Sequence, residues 1–79
     1  MNARTAEKIR VVHTDPEIMG GEPVFVGTRV TVKTLFDHLE AGDPLDVFLT
    51  DFPSVSRQQA IDALEIAREA VEKIAHSSR

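Results

Sequence analysis

Apolar positions along the chain change their period near residue 31. Downstream of that point Val32, Leu35, Phe36 and Leu39 fall at i, i+3, i+4 and i+7, which predicts one face of an amphipathic helix. Thr31 is its expected N-cap, Val30 and Leu35 form a hydrophobic staple across the first turn, and Gly42 closes it as the C′ residue. Leu45, Phe48, Leu49 and Phe52 repeat the spacing, with Asp43 expected to cap and Pro44 to take the first helical position before Pro53 forces a break. Ser56-Arg57-Gln58-Gln59 has the form of a capping box and opens the longest helix, expected to run to about His76. On a wheel of about 100° per residue its apolar residues, from Ala60 to Ile74, spread over roughly 180°, wider than the roughly 100° stripe of an ordinary surface helix. Arg68–Glu72 and Glu69–Lys73 sit at favourable i,i+4 spacing on the opposite face, which reads as solvated.

Upstream of Thr31 the pattern is that of β structure. Pro23–Val26 and Arg29–Val32 are short strand candidates, and Gly27-Thr28 between them suits a two-residue II′ hairpin turn. Ile9–Val12 is a candidate first strand, expected to pair with that hairpin or with another chain, because a bare strand edge invites pairing. Residues 1–8 are polar and expected to be a flexible lead-in, with a single domain over residues 9–79. The expected fold is therefore mainly α with a small N-terminal β-hairpin: a three-helix, homeodomain-like helix-turn-helix bundle with a long C-terminal helix.

A single core in 79 residues supplies only roughly 3–5 kcal/mol of net stability, so some further burial is expected. The chain has no cysteine, which removes disulfides, thiolate metal ligands and cysteine nucleophiles and leaves association as the source of that burial. A homo-oligomer, a dimer in the simplest case, is the expectation. No apolar run approaches the roughly 18 residues of a membrane span and no signal-type apolar segment opens the chain, so the expected location is the cytoplasm, away from membranes.

The net charge of −4 is unevenly distributed. Residues 1–33 carry five basic and four acidic side chains, and residues 34–79 carry four basic and nine acidic ones. The helical half thus lacks the basic footprint of a nucleic-acid binder and suits a basic protein partner better. Catalysis has little support. His13, His38 and His76 fall in different elements with no i,i+3 or i,i+4 pairing, so neither a metal site nor an acid–base pair follows, and no enzyme, metal or cofactor is expected. His38, beside Asp37 on the polar side of its helix, reads as a surface histidine. Gly20-Gly21 lacks the following Lys-Ser/Thr or the Gly-x-Gly-x-x-Gly spacing that a phosphate cradle requires.

Two surfaces remain as candidates. Ala63, Ile66, Ala67, Ala70, Val71 and Ile74 on the long helix form a face for self-association or for a partner protein. Arg57, Gln58 and Gln59 stand where a recognition helix would meet base edges, with Arg29 and Lys33 available for phosphate, although Asp62, Glu65 and Glu69 just beyond would repel it. Arg29, flanked by Val26 and Val30, is expected to be partly buried and paired with Asp51, Asp15 or Glu22.

Asp15-Pro16-Glu17-Ile18, Gly20-Gly21-Glu22-Pro23, Gly27-Thr28-Arg29-Val30, Val32, Leu39 with Ala41-Gly42, Asp51-Phe52-Pro53 and Ala63-Leu64 together resemble the small prokaryotic domain-of-unknown-function 433 family. The resemblance covers roughly residues 9–68, and its structural signature is Pro23 followed by Gly27, Thr28 and Arg29. It implies an antitoxin with a homeodomain-like fold, partnered with a toxin resembling a PIN-domain ribonuclease, and it brings no catalytic residues. Antitoxins can also bind DNA and regulate their own operon, which is the alternative reading. Glu22 and Phe52 depart from the family pattern, which more often has a basic residue and a tyrosine at these places; the first departure reduces any basic patch near the hairpin.

Overall fold

The computed structural model describes residues 11–77, so the expected flexible lead-in over residues 1–8 and the first half of the strand candidate Ile9–Val12 lie outside the described residues. Two short strands, β1 (Val12–His13) and β2 (Val24–Phe25), are followed by helices α1 (Val32–Glu40), α2 (Leu45–Asp51) and α3 (Arg57–Ser77). The expected architecture of three helices behind a small antiparallel β element is present.

β1 and β2 pair antiparallel within the chain, Val12 opposite Phe25 and His13 opposite Val24. On its other edge β2 meets the returning chain: Phe25 N–H donates to the Val30 carbonyl (3.0 Å), Val32 N–H donates to the Pro23 carbonyl (2.9 Å), and Val24 bridges Thr31. β2 is thus the middle of the β element, and both of its residues are fully buried. Arg29–Val32, expected as a full strand, contributes only the isolated bridge at Thr31, because Thr31 is already committed as the N-cap of α1. The expected two-residue II′ turn at Gly27-Thr28 is also replaced. Thr28 N–H donates to the Phe25 carbonyl (3.0 Å), which makes Gly27, at φ +81°, the third residue of a turn over Phe25–Thr28, the position where a type II turn needs positive φ.

The connection from β1 to β2 is held by local bonds. Asp15 accepts from the N–H of Glu17 through its carboxylate (2.9 Å) and from the N–H of Ile18 through its carbonyl (2.9 Å), with Pro16 presetting the turn between them. A 3-10 turn over Met19–Gly21 follows, in which Met19, Gly20 and Gly21 all have positive φ.

Thr31 caps α1 as expected, its hydroxyl accepting the Thr34 N–H (3.2 Å). At the other end Asp43 N–H reaches the His38 carbonyl (3.0 Å) and Gly42 N–H the Leu39 carbonyl (3.0 Å). That is a Schellman closure, with Gly42 at φ +91° in the left-handed position it requires. The start of α2 differs from expectation by one residue. Pro44 occupies the cap position, Leu45 opens the helix, and the Asp43 side chain makes no cap bond there because it turns back to His38. Pro53 ends α2 by forcing Phe52 out of helical conformation (φ −128°, ψ 71°).

The core is formed by Val11, Phe25, Leu35, Phe48, Val55, Ala60 and Ala63. Phe48 is its centre, with ring centroids 6.3 Å from Phe25 and 5.2 Å from Phe52. The alanines at 60 and 63 let the first two turns of α3 approach this cluster closely. A capping box fixes α3: Gln59 N–H donates to the Ser56 hydroxyl (3.1 Å) and Ser56 N–H to the Gln59 amide oxygen (3.0 Å). The Gln59 amide nitrogen also donates to the Val26 carbonyl (3.1 Å), tying the start of the helix to the hairpin.

Candidate functional site

The apolar face of α3 divides into two parts. Ala63, expected on the interaction surface, belongs instead to the core (6% exposed), because α3 lies against Phe48 and Leu35 at this turn. Ile66 and Ala67 are half-buried and line a wholly apolar groove of about 160 Å³ with Val12, Val32, Phe36, Ala63 and Ala70. Beyond the groove the helix runs past the body, and Val71 and Ile74 are 65% and 68% exposed. At about 100° per residue Ala67, Ala70, Val71 and Ile74 lie on the side that Ala60 and Ala63 bury, so one stripe starts in the core and ends in solvent. Ala70, Lys73, Ile74 and Ser77 border a second shallow hollow at its far end.

The base-reading candidates at the start of α3 are engaged inside the chain. Arg57 is ion-paired with Asp46 in the first turn of α2, and the Gln58 amide nitrogen donates to Asp62 (2.8 Å). Gln59 is held by the capping box and by Val26. Lys33 is exposed and donates to Asp37 one turn along α1 (2.7 Å); that hydrogen bond, with the carboxylate charge behind it, raises the ammonium pKa above its ordinary value.

Arg29 is exposed and forms no ion pair with Asp51, Asp15, Glu22 or any other described carboxylate. The expected buried pair does not form because the turn at Gly27 leaves Arg29 exposed; its apolar neighbour Val26 is itself 41% exposed. Thr28 is the residue held inside. Its buried hydroxyl donates to the Phe25 carbonyl (2.9 Å) and accepts from the Val30 N–H (3.0 Å), fixing the turn that presents Arg29.

Arg29 stands on an open cleft of about 800 Å³. Ile18 and Met19 from the 3-10 turn, Gly27 to Thr31 from the hairpin, Thr34 from α1, and Phe52 and Ser54 from behind α2 form its walls, with His13 at its edge. Segments quoted separately for their resemblance, around Ile18, Gly27-Thr28-Arg29 and Phe52, thus come together in space. Sequence reading had no signal for that meeting, because the residues are up to about 40 positions apart and share no period.

His38 was also misplaced by sequence. Its side chain is only 21% exposed: the ring stands edge-on to Phe48 (5.7 Å) and Phe52 (5.6 Å), and Nδ1 donates to the Asp43 carboxylate (3.1 Å). These contacts join α1 to α2 and make the histidine structural. Among the described residues no group of three His, Asp or Glu side chains could hold a metal ion, and no helix is long and apolar enough to cross a membrane.

The family described as Protein of unknown function (DUF433) matches residues 12–67, more than half of the chain. The chain belongs to the DUF433 family. A crystal structure of a DUF433 member protein from Anabaena variabilis ATCC 29413 shares the fold, with a TM-score of 0.67 at 18% identity, covering 98% of this chain and 84% of that one. No curated protein matches the chain. The DUF433 match takes in the β element, α1, α2 and the first half of α3. The Arg29 cleft therefore lies wholly inside the matched residues, whereas Ala70, Val71 and Ile74 lie beyond them.

Proposed function

We propose that the chain is an antitoxin-like interaction protein, which self-associates and binds and neutralises a partner protein through the apolar stripe of α3. The observation that carries this reading is the exposure of Val71 and Ile74 on the continuation of a helix face that is buried in its first turns. Covering what remains exposed of those two side chains contributes about 2–4 kcal/mol, comparable with the whole net stability expected of so small a core. The groove of Phe36, Ile66 and Ala67 extends the surface toward the body, with no polar atom in its walls. A nuclease toxin resembling a PIN-domain ribonuclease is the partner class that the family resemblance implies.

The test is a Val71→Asp, Ile74→Asp double variant. Its helicity should match the parent, because both residues are exposed, while its native mass falls to that of one chain and its affinity for a captured small nuclease drops at least about 100-fold. Unchanged native mass and unchanged partner affinity would refute the proposal. The alternative, a dimeric, homeodomain-like helix-turn-helix regulator acting on DNA, draws less support. Arg57 would have to leave Asp46 and Gln58 leave Asp62 before either could read a base. Steeply salt-dependent, sequence-selective binding would restore it.

A further inference from the structure

The cleft around Arg29 has a chemistry distinct from that of α3, and no residue of α3 is among its described lining. The chain carries 13 acidic side chains and a net charge of −4, yet among the described residues no carboxylate lines this cleft, and Arg29 is the one formal charge on its described walls. That guanidinium is exposed, forms no ion pair among the described residues, and stands on a turn immobilised by the two hydrogen bonds of the buried Thr28 hydroxyl. Its donors thus extend from a defined turn, in the forked geometry that suits a carboxylate.

Apart from His13 at the edge, the large residues of the remaining walls are apolar: Ile18, Met19, Val30 and Phe52. Met19 holds φ +50°, a conformation uncommon for a residue with a side chain, and is 48% exposed beside the cleft. Strain of this kind persists only where the surroundings over-determine it. Here it belongs to the 3-10 turn that forms one wall.

We propose that the Arg29 cleft is a docking site for a partner protein's extended segment in which one aspartate or glutamate is flanked by apolar side chains, the carboxylate meeting Arg29 and its neighbours meeting Ile18, Met19, Val30 and Phe52. Charge complementarity selects this occupant. A nucleic-acid strand brings a phosphate with every nucleotide and requires several cations, whereas the described walls of the cleft carry one, on a chain of net charge −4. A free small anion is held tightly only where most of its surface is buried, and this cleft is open. An extended segment needs one anchor and apolar walls, which is what the cleft supplies.

The experiment is a titration of the ¹⁵N-labelled full chain with acetyl-Leu-Asp-Leu-amide, followed by amide shifts. Saturable shifts should appear at residues 18–21 and 27–31 with a dissociation constant on the order of 1 mM or tighter. The neutral twin acetyl-Leu-Asn-Leu-amide, and the acidic peptide on Arg29→Gln, should each bind at least about tenfold more weakly. Arg29 is exposed, so the variant spectrum should otherwise overlay that of the parent; the twin tests the same contact without altering the protein. No saturable shift up to about ten times that concentration would overturn the proposal, as would equal binding of the two peptides. Inorganic phosphate reproducing the shifts at equal affinity would overturn it in favour of a free-anion site.

Discussion

Thr28 shows how much one side chain organises here. Its hydroxyl is buried, bonded to Phe25 and Val30 at once, and it fixes the hairpin tip whose exposed product is Arg29. Thr28→Val keeps the shape and removes both bonds, leaving the Val30 N–H without that partner. The expected loss is about 1–3 kcal/mol, read as a lower urea midpoint with an unchanged slope. A midpoint within error of the parent would show that the hydroxyl is dispensable. At this scale sequence reading identified the right residues and misjudged their surroundings. Arg29 has apolar neighbours in the chain, but a tight turn points successive residues in divergent directions, so their burial does not extend to it. His38 has a polar neighbour in Asp37, yet α2 brings Phe48 and Phe52 beside its ring.

Among the elements, α3 belongs to two environments. Its first turns are core, with Ala60 fully buried and Ala63 at 6% exposure, and its last turns are surface. Substitutions along one stripe should therefore differ sharply in effect. Ala60→Leu forces three extra carbons into a filled site and should cost about 1–3 kcal/mol, whereas Ile74→Ser should stay within about 0.5 kcal/mol for the isolated chain. Thermal melts followed by circular dichroism at low concentration measure both; similar losses at the two positions would contradict this division of the helix. Much of the element level was legible. Thr31, Gly42 and the Ser56–Gln59 box act at helix ends through bonds that span three to five residues, a range that sequence displays directly. The start of α2 escaped because Asp43 had two possible partners, its own helix and His38, and the second lies on the preceding helix.

For the whole molecule the controlling fact is the small core. Phe48 is fully buried and touches Phe25, His38 and Phe52, joining the β element to α1 and to the end of α2. Phe48→Ala should cost about 3–5 kcal/mol, the same size as the entire net stability a single core of this length supplies. The variant should therefore lose its cooperative thermal transition and its amide dispersion at 25 °C. A sigmoidal melt within a few degrees of the parent would mean that stability comes from elsewhere, and its dependence on protein concentration would then identify association as the source.

The sequence by itself determined the three helices behind a small β element, the helix ends at Thr31, Gly42 and Ser56, and the DUF433 resemblance. Each of these depends on interactions between residues a few positions apart, where spacing and side-chain chemistry suffice. Tertiary structure decided which of those residues face solvent. It placed Ile18, Arg29 and Phe52 on one cleft, half-buried His38, engaged Arg57 with Asp46, and left the end of α3 uncovered. The physical reason is that burial depends on what the rest of the chain brings alongside, and the body around Phe48 extends only far enough to cover the first half of the long helix.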